Sequence, residues 1–182
     1  PPVELVVGGG DVAGEAALQG RGVEETAREM RYAFLEETAR RTGCDRIATA
    51  HTADDNAETV LLHWVRGSAL RGLTGIPPRR GALVRPMLTT SRATVEAYLQ
   101  LYGLPHVEDS SNTDETYGRN RLRSQVMPVL RELNPAFVAG TAAALETLRT
   151  EDDYLDQLAR QALGRPEWEG EVCALPAGRL AG

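Results

Sequence analysis

The chain has 182 residues, 42% hydrophobic and 25% charged, with a formal net charge of −6, the make-up of a globular domain with part of a second. The acidic balance argues against a uniformly basic nucleic-acid binder. No stretch approaches the roughly 20 apolar residues of a membrane span, and no basic, apolar, small-residue order marks a signal peptide.

In chain order, residues 3–7 (VELVV) read as a short buried strand, and 8–11 (GGGD) as the turn that breaks it. Apolar positions at Val23, Ala27, Met30, Phe34 and Thr38 have helical spacing, and Gly43 follows as a C-terminal cap. Residues 46–50 (RIATA) read as a strand and 53–66 as a helix stopped by Gly67. Strand, helix, strand, helix predicts parallel βαβ units. Residues 72–81 (GLTGIPPRRG) read as a loop and 82–86 (ALVRP) as a short strand. Thr90 or Ser91 caps a helix to about Tyr102, closed by Gly103. Residues 105–109 read as extended, 110–118 as a polar turn, and 119–133 as a helix. Asn134-Pro135 breaks the chain, and 136–163 form one long helix with Phe137, Thr141, Leu145, Leu148, Leu155 and Leu158 on its apolar side. The domain boundary is expected near Asn134.

Cys44 and Cys173 stand far apart and outside any CxxC, so a cysteine-based metal or redox site is not expected. Isolated thiols suit a reducing cytoplasm, and both read as packing residues. All 20 basic residues are arginine, and two stretches, 66–92 and 119–131, carry arginines and no acid. Such a local basic surface binds phosphate on a protein that is acidic overall, through the planar guanidinium fork.

Residues 48–59 (ATAHTADDNAET) gather His51, Asp54, Asp55 and Glu58 where a strand ends and a helix begins. Capping accounts for part of this. Thr52 is placed as N-cap with Asp55 as its N3 partner, a variant of the capping box, and first-turn acids favour the helix dipole by about 0.3–1 kcal/mol each. At about 100° per residue, His51, Asp55 and Glu58 point nearly one way with Asp54 beside them, while Ala57, Val60, Leu61 and Trp64 form a separate apolar face. Acids gathered away from the core repel one another. A divalent cation or a cationic ligand would relieve them, and open α/β sheets bind ligands where strands end and helices start.

The stretch AHTADDNAETVLLHWVRGSALRGLTGIPP (50–78) resembles the tRNA(Ile)-lysidine synthases of the N-type ATP pyrophosphatase, or PP-loop, family. The family pattern is His-x-x-Asp-Asp-x-x-Glu-Thr, then Arg-Gly, then Gly-Leu-x-Gly, matched at 51–59, 66–67 and 72–75. VEETAREMRYAFLEE (23–37), RPML (85–88) and VEDSSNTDETYGRNRLRSQVMPVLRELNP (107–135) resemble further family segments, and the likeness runs in order over about residues 3–160.

The resemblance implies an α/β fold: a parallel-sheet, adenine-nucleotide α-hydrolase-like (Rossmann-like) PP-loop ATPase domain over 1–133 that lacks its first strands. A helical segment, 134–182, would hold a linker helix and the start of a second domain. The implied activity uses ATP to adenylate the wobble cytidine of tRNA(Ile). The amine of free lysine then displaces AMP, and magnesium neutralises the departing pyrophosphate. ATP and Mg are the implied cofactors; tRNA(Ile) and free lysine are the implied partners, in the cytoplasm and with no membrane, and a homodimer stays open. His51, Asp55, Glu58 and Arg123 are implied as catalytic or lysine-facing, with Asp55 and Glu58 as the magnesium ligands. Arg28, Arg31, Asp54, Arg119 and Asn120 are implied for substrate and ATP, Arg31 ahead of Arg28, which pairs alternatively with Glu24. Arg66, Arg71, Arg79 and Arg80 are assigned to RNA. Asp109, Ser111 and Asn112 are expected to shape a turn, Gly67, Gly72 and Gly75 to serve tight turns, and His63 and His106 are assigned nothing.

The family's phosphate loop, Ser-Gly-Gly-x-Asp-Ser, is not in this sequence, and VVGGGD (6–11) is a weak imitation. The expectation is a fragment that begins after that loop, stops inside its second domain and does not turn over ATP alone. Another PP-loop tRNA-modifying enzyme, a non-catalytic tRNA-binding module and a metal-dependent hydrolase are the alternatives.

Overall fold

The computed structural model describes residues 3–106, 118–163, 167–169 and 172–174. The expected turn over 110–118, with Asp109, Ser111 and Asn112, lies almost wholly outside the described residues. The chain divides into two compact units, Pro1–Thr49 with Pro78–Pro86, and Ala50–Pro77 with Met87–Gly182.

In the first unit, helix α1 (Val12–Gln19) follows an irregular segment and precedes α2 (Val23–Thr42). The buried strand expected at 3–7 is overturned, and α1 lies in a stretch to which the sequence assigns no element. Residues 3–11 form no strand, and Val3, Leu5 and Val7 are exposed. A strand exists only as a paired backbone, and no described strand lies beside this segment. Gly8 and Gly10 instead lie directly on α2: a Cβ at Gly8 would strike the Phe34 ring and one at Gly10 the Met30 methyl. The Asp11 carboxylate then accepts from Gly14 N at 2.9 Å, a local cap that starts α1.

The bounds of α2 follow from its ends. Glu24 and Glu25 occupy its first turn, Arg40 and Arg41 its last, and Gly43 (φ 70°) donates to the carbonyls of Ala39 and Arg40, as dipole and αL capping require. Beyond it, β1 (Ile47–Ala48) and β3 (Leu83–Val84) fall within the two expected strands at 46–50 and 82–86, and they pair parallel with each other. The basic pair Arg79–Arg80, expected in a loop, forms β2, antiparallel to β3, so the sheet order is β1-β3-β2. Cys44 is exposed rather than packed, with its Sγ accepting from the Thr42 hydroxyl at 3.3 Å.

The second unit is built on α3 (Ala53–Val65), which packs against α4 (Leu70–Leu73) and α8 (Phe137–Leu163). Gly72 lies inside α4 rather than in a turn. Helix α5 (Arg92–Leu101) is capped by Ser91, whose hydroxyl accepts from Thr94 N. The expected helix over 119–133 is present as α6 (Gly118–Arg121), a π-helical turn (Leu122–Val126) and α7 (Met127–Leu133). Pro128 has no N–H, so the regular ladder cannot continue through it, and the helix widens just before it. Asn134 is extended (φ −146°, ψ 100°), as a residue before proline must be. The core of this unit holds Ala57, Ile76, Leu88, Met127 and Leu145. Leu155 and Leu158, expected on the apolar side of α8, are exposed. The hairpin β4 (Glu167–Glu169) and β5 (Val172–Ala174) was not foreseen.

Candidate active site at the start of the third helix

Thr52 and Asp55 form the expected capping box. The Thr52 hydroxyl accepts from Asp55 N at 3.3 Å, and Asp55 Oδ2 accepts from Thr52 N at 2.8 Å and from the Thr52 hydroxyl at 2.8 Å. Capping therefore consumes one carboxylate oxygen and leaves Oδ1 facing the site.

The acids are not held away from the core. Asp54 is 4% exposed and Glu58 1%, buried beside Ala53, Asn56 and Ala57, whereas Trp64, expected on the apolar face, is 69% exposed. Buried carboxylates need counter-charges, and arginines of the same chain supply them. Arg123 grips Glu58 with two parallel bonds, Nε to Oε1 at 2.8 Å and Nη2 to Oε2 at 2.9 Å, the bidentate fork geometry. Arg123 Nη2 also lies 3.3 Å from Asp55 Oδ1, and Arg92 Nη2 lies 3.4 Å from the same oxygen. Arg119 Nη2 donates to the Thr59 hydroxyl at 2.7 Å, with its Nε 3.9 Å from Glu58. Asp54 Oδ1 accepts from Arg131 Nη2 at 2.6 Å and Oδ2 from Arg92 N at 2.7 Å. Asp54 thus ties the first turn of α3 to the start of α5 and the last turn of α7. The positive guest that the acids require is, in this structure, the protein's own set of guanidiniums.

The electrostatics follow from these contacts. Burial pushes the Asp55 carboxyl up, but the hydrogen bonds from Thr52 and the charges of Arg92 and Arg123 outweigh it and hold the group below its ordinary value. The bond to Glu58 raises the Arg123 guanidinium above its ordinary value, against the opposing effect of burial. Since the folded-state value for Asp55 lies below the unfolded one of about 3.9, its stabilisation is complete above that pH and is lost as pH falls through the folded value. Urea melts between about pH 2 and 7 should show a flatter acid limb for Asp55→Asn than for the parent. Parallel acid limbs would mean that Asp55 makes no such contribution.

Of the other predicted residues, His51 is half-buried immediately before the cap, and Asn120 is half-buried at the start of the 118–133 helical run. Arg71 is drawn to α8, 2.9 Å from Asp156 and 3.6 Å from Asp152. Arg66, Arg79 and Arg80 are exposed. In the first unit, Arg28 lies over the Tyr32 ring, 5.5 Å from its centroid, rather than on Glu24. Arg28, Tyr32, Arg80 and Arg85 line a cavity of about 690 Å³ there. Arg31, on the same helix, is exposed.

Sequence reasoning missed Arg92, Arg131, Thr59 and Asn56. The signal for Asn56 was present: it shares a helix face with Ala53, and a buried amide must find a partner. That partner is Ile76 N, which donates to Asn56 Oδ1 at 2.7 Å.

The model of the PP-loop domain family matches residues 3–130. The chain is 41% identical over 152 residues to the tRNA(Ile)-lysidine synthase of Parabacteroides distasonis, covering 82% of this chain and 34% of that protein. It is 44% identical over 149 residues to the synthase of Deinococcus deserti, covering 82% and 28%. It is 39% identical over 176 residues to that of Symbiobacterium thermophilum, covering 93% and 36%. The chain spans about a third of the length of these curated relatives. Among the described residues no helix is long and apolar enough to cross a membrane. With a mixed α/β fold, a parallel β1–β3 pair and a family match from residue 3 to residue 130, the chain belongs to the PP-loop domain family.

Proposed function

We propose that this chain forms part of a cytoplasmic, ATP-dependent ligase that joins free lysine to the wobble cytidine of tRNA(Ile). The observation that carries the reading is the arrangement of Asp55 and Glu58 around Arg123: two carboxylates side by side in a largely dehydrated site, one with an oxygen left over from the capping box. Similarity to proteins named tRNA(Ile)-lysidine synthase supports it.

In this reading Asp55 Oδ1 holds the lysine ammonium with the Glu58–Arg123 fork behind it, and His51 accepts the proton that the amine must lose before it attacks. Arg123, with Arg119 and Asn120, stabilises the negative charge that develops on the adenylate. Arg28 and Arg31 on α2 serve ATP. Arg66, Arg79 and Arg80 meet the tRNA backbone, where their contribution is salt-dependent; Arg71 joins them only by leaving Asp152 and Asp156. Asp54, with both oxygens taken, acts by positioning its neighbours. The domain boundary is proposed near Asn134.

Magnesium does not fit at Asp55 and Glu58 as they stand. Each of their four oxygens faces Thr52 or a guanidinium, and among the described residues no three His, Cys, Asp or Glu side chains form a metal site. We therefore keep magnesium as the partner of ATP and assign it no ligand in this chain.

The test uses the protein that carries this chain, with tRNA(Ile), ATP and labelled lysine. Lysine should enter the tRNA as AMP and pyrophosphate are released, and Glu58→Gln should cut the rate by roughly 10²-fold or more. Salt-sensitive tRNA binding without any lysine incorporation would replace this reading with a non-catalytic RNA-binding module.

A further inference from the structure

Asp55 Oδ2 is fixed by the capping box, so its ligand chemistry is confined to Oδ1. That oxygen faces two guanidiniums at nearly equal distance, Arg123 at 3.3 Å and Arg92 at 3.4 Å. The two are not equivalent. Arg123 is anchored on Glu58 by bonds of 2.8 and 2.9 Å, and its departure would strand a carboxylate that is 1% exposed. The Arg92 side chain has Asp55 as its partner among the described residues, and it is 39% exposed against 24% for Arg123. Its backbone N–H is bonded to Asp54 at 2.7 Å, so the start of α5 stays in place wherever the side chain goes.

We infer that Arg92 is a placeholder cation: it occupies Asp55 Oδ1 until an amine arrives, then swings outward and yields the oxygen to the incoming ammonium. The inference rests on the reading of Asp55 as the amine-binding carboxylate, with Glu58 fixing Arg123 beside it. Arg123, held by Glu58, is shared between two carboxylates, so Arg92 supplies the second cation that balances the pair. Exchanging one monovalent cation for another leaves the charge of the site unchanged. A long, partly exposed ion pair is worth little, so the displacement is cheap, whereas the Glu58–Arg123 fork stays shut. The exchange also selects for cations, since a neutral or anionic ligand cannot replace the guanidinium. Arg92 is on this view a positioning and specificity residue that competes with substrate.

The variants Arg92→Ala, Arg92→Gln and Arg92→Lys test this in the protein that carries the chain, by KM for lysine and for ATP with melting temperatures measured alongside. Removal of the competing cation should lower the lysine KM by up to about fivefold in Arg92→Ala and Arg92→Gln. Arg92→Lys should return it toward the parent value, and the ATP KM should not move with it. An unchanged or raised lysine KM in the Ala and Gln variants, at parental melting temperature, overturns the placeholder role. Asp55→Asn separates the two levels. If it leaves lysine kinetics intact, the amine-binding reading itself fails. If it impairs them while the Arg92 variants behave as the parent, only the placeholder role fails.

Discussion

Arg123→Ala should destabilise the protein by about 3–5 kcal/mol, the cost of removing one partner from a buried ion pair. Glu58 is 1% exposed, and both of its oxygens accept from this single guanidinium. The loss leaves a buried carboxylate with no hydrogen-bonded guanidinium, since Arg119 Nε lies 3.9 Å away, beyond hydrogen-bond reach. The same substitution removes a cation 3.3 Å from Asp55, which adds to the imbalance. A paired replacement separates stability from function. Glu58→Leu with Arg123→Met removes both charges at similar volume and should recover most of the lost stability, since apolar substitutes for a buried pair are often neutral. It should still transfer no lysine. Urea denaturation of the parent, the single and the double variant measures this directly. A single variant within about 1 kcal/mol of the parent, the value of an exposed pair, would show that the fork is not holding the helix.

What the sequence made legible was whatever is decided locally. The ends of α2, α3, α5 and α8 were readable because their signals lie within a few residues of the helix they bound: Gly43, the Thr52–Asp55 box, Ser91, and Asn134 before Pro135. The acid cluster was also visible, but not its surroundings. Asp55, Glu58 and Asp54 meet partners 37, 65 and 77 residues away, and no periodicity within a helix reports such contacts. A reading by hydrophobicity therefore turned the acids outward and Trp64 inward, when distant arginines had reversed the preference. The acid-free arginine stretches look in sequence like a surface for phosphate. Four of their members, Arg92, Arg119, Arg123 and Arg131, instead neutralise buried carboxylates. The segment 3–7 was misread for the complementary reason: its composition suits a strand, but strands are made by partners, and none of the described strands pairs with it.

Gly75→Ala should be the most damaging change in the unit that adds only one methyl group, costing about 2–4 kcal/mol. Gly75 has φ 72°, a conformation that costs a residue with a Cβ about 1–2 kcal/mol. Space is the second obstacle. The new Cβ would collide with Asn56 Oδ1 and come within 3.1 Å of Leu145 Cδ1 and 3.2 Å of Val60 Cγ2. Asn56 cannot step aside freely, because it is 2% exposed and its Oδ1 holds Ile76 N at 2.7 Å; an orphaned buried amide costs about 1–3 kcal/mol. Nor can the turn relax, because Arg149 clamps both of its flanks, with Nε 3.0 Å from the Thr74 carbonyl and Nη2 3.1 Å from that of Ile76. Gly81→Ala is the matched control: φ is 60° there, but no atom stands within 4 Å of an added Cβ, so only the backbone term of about 1–2 kcal/mol applies. Asn56 lies between Asp55 and Glu58 in the chain, so strain at Gly75 reaches the helix that carries both carboxylates. Equal losses for the two alanine variants would mean that the turn around Gly75 yields, and that α3 is not anchored through Asn56.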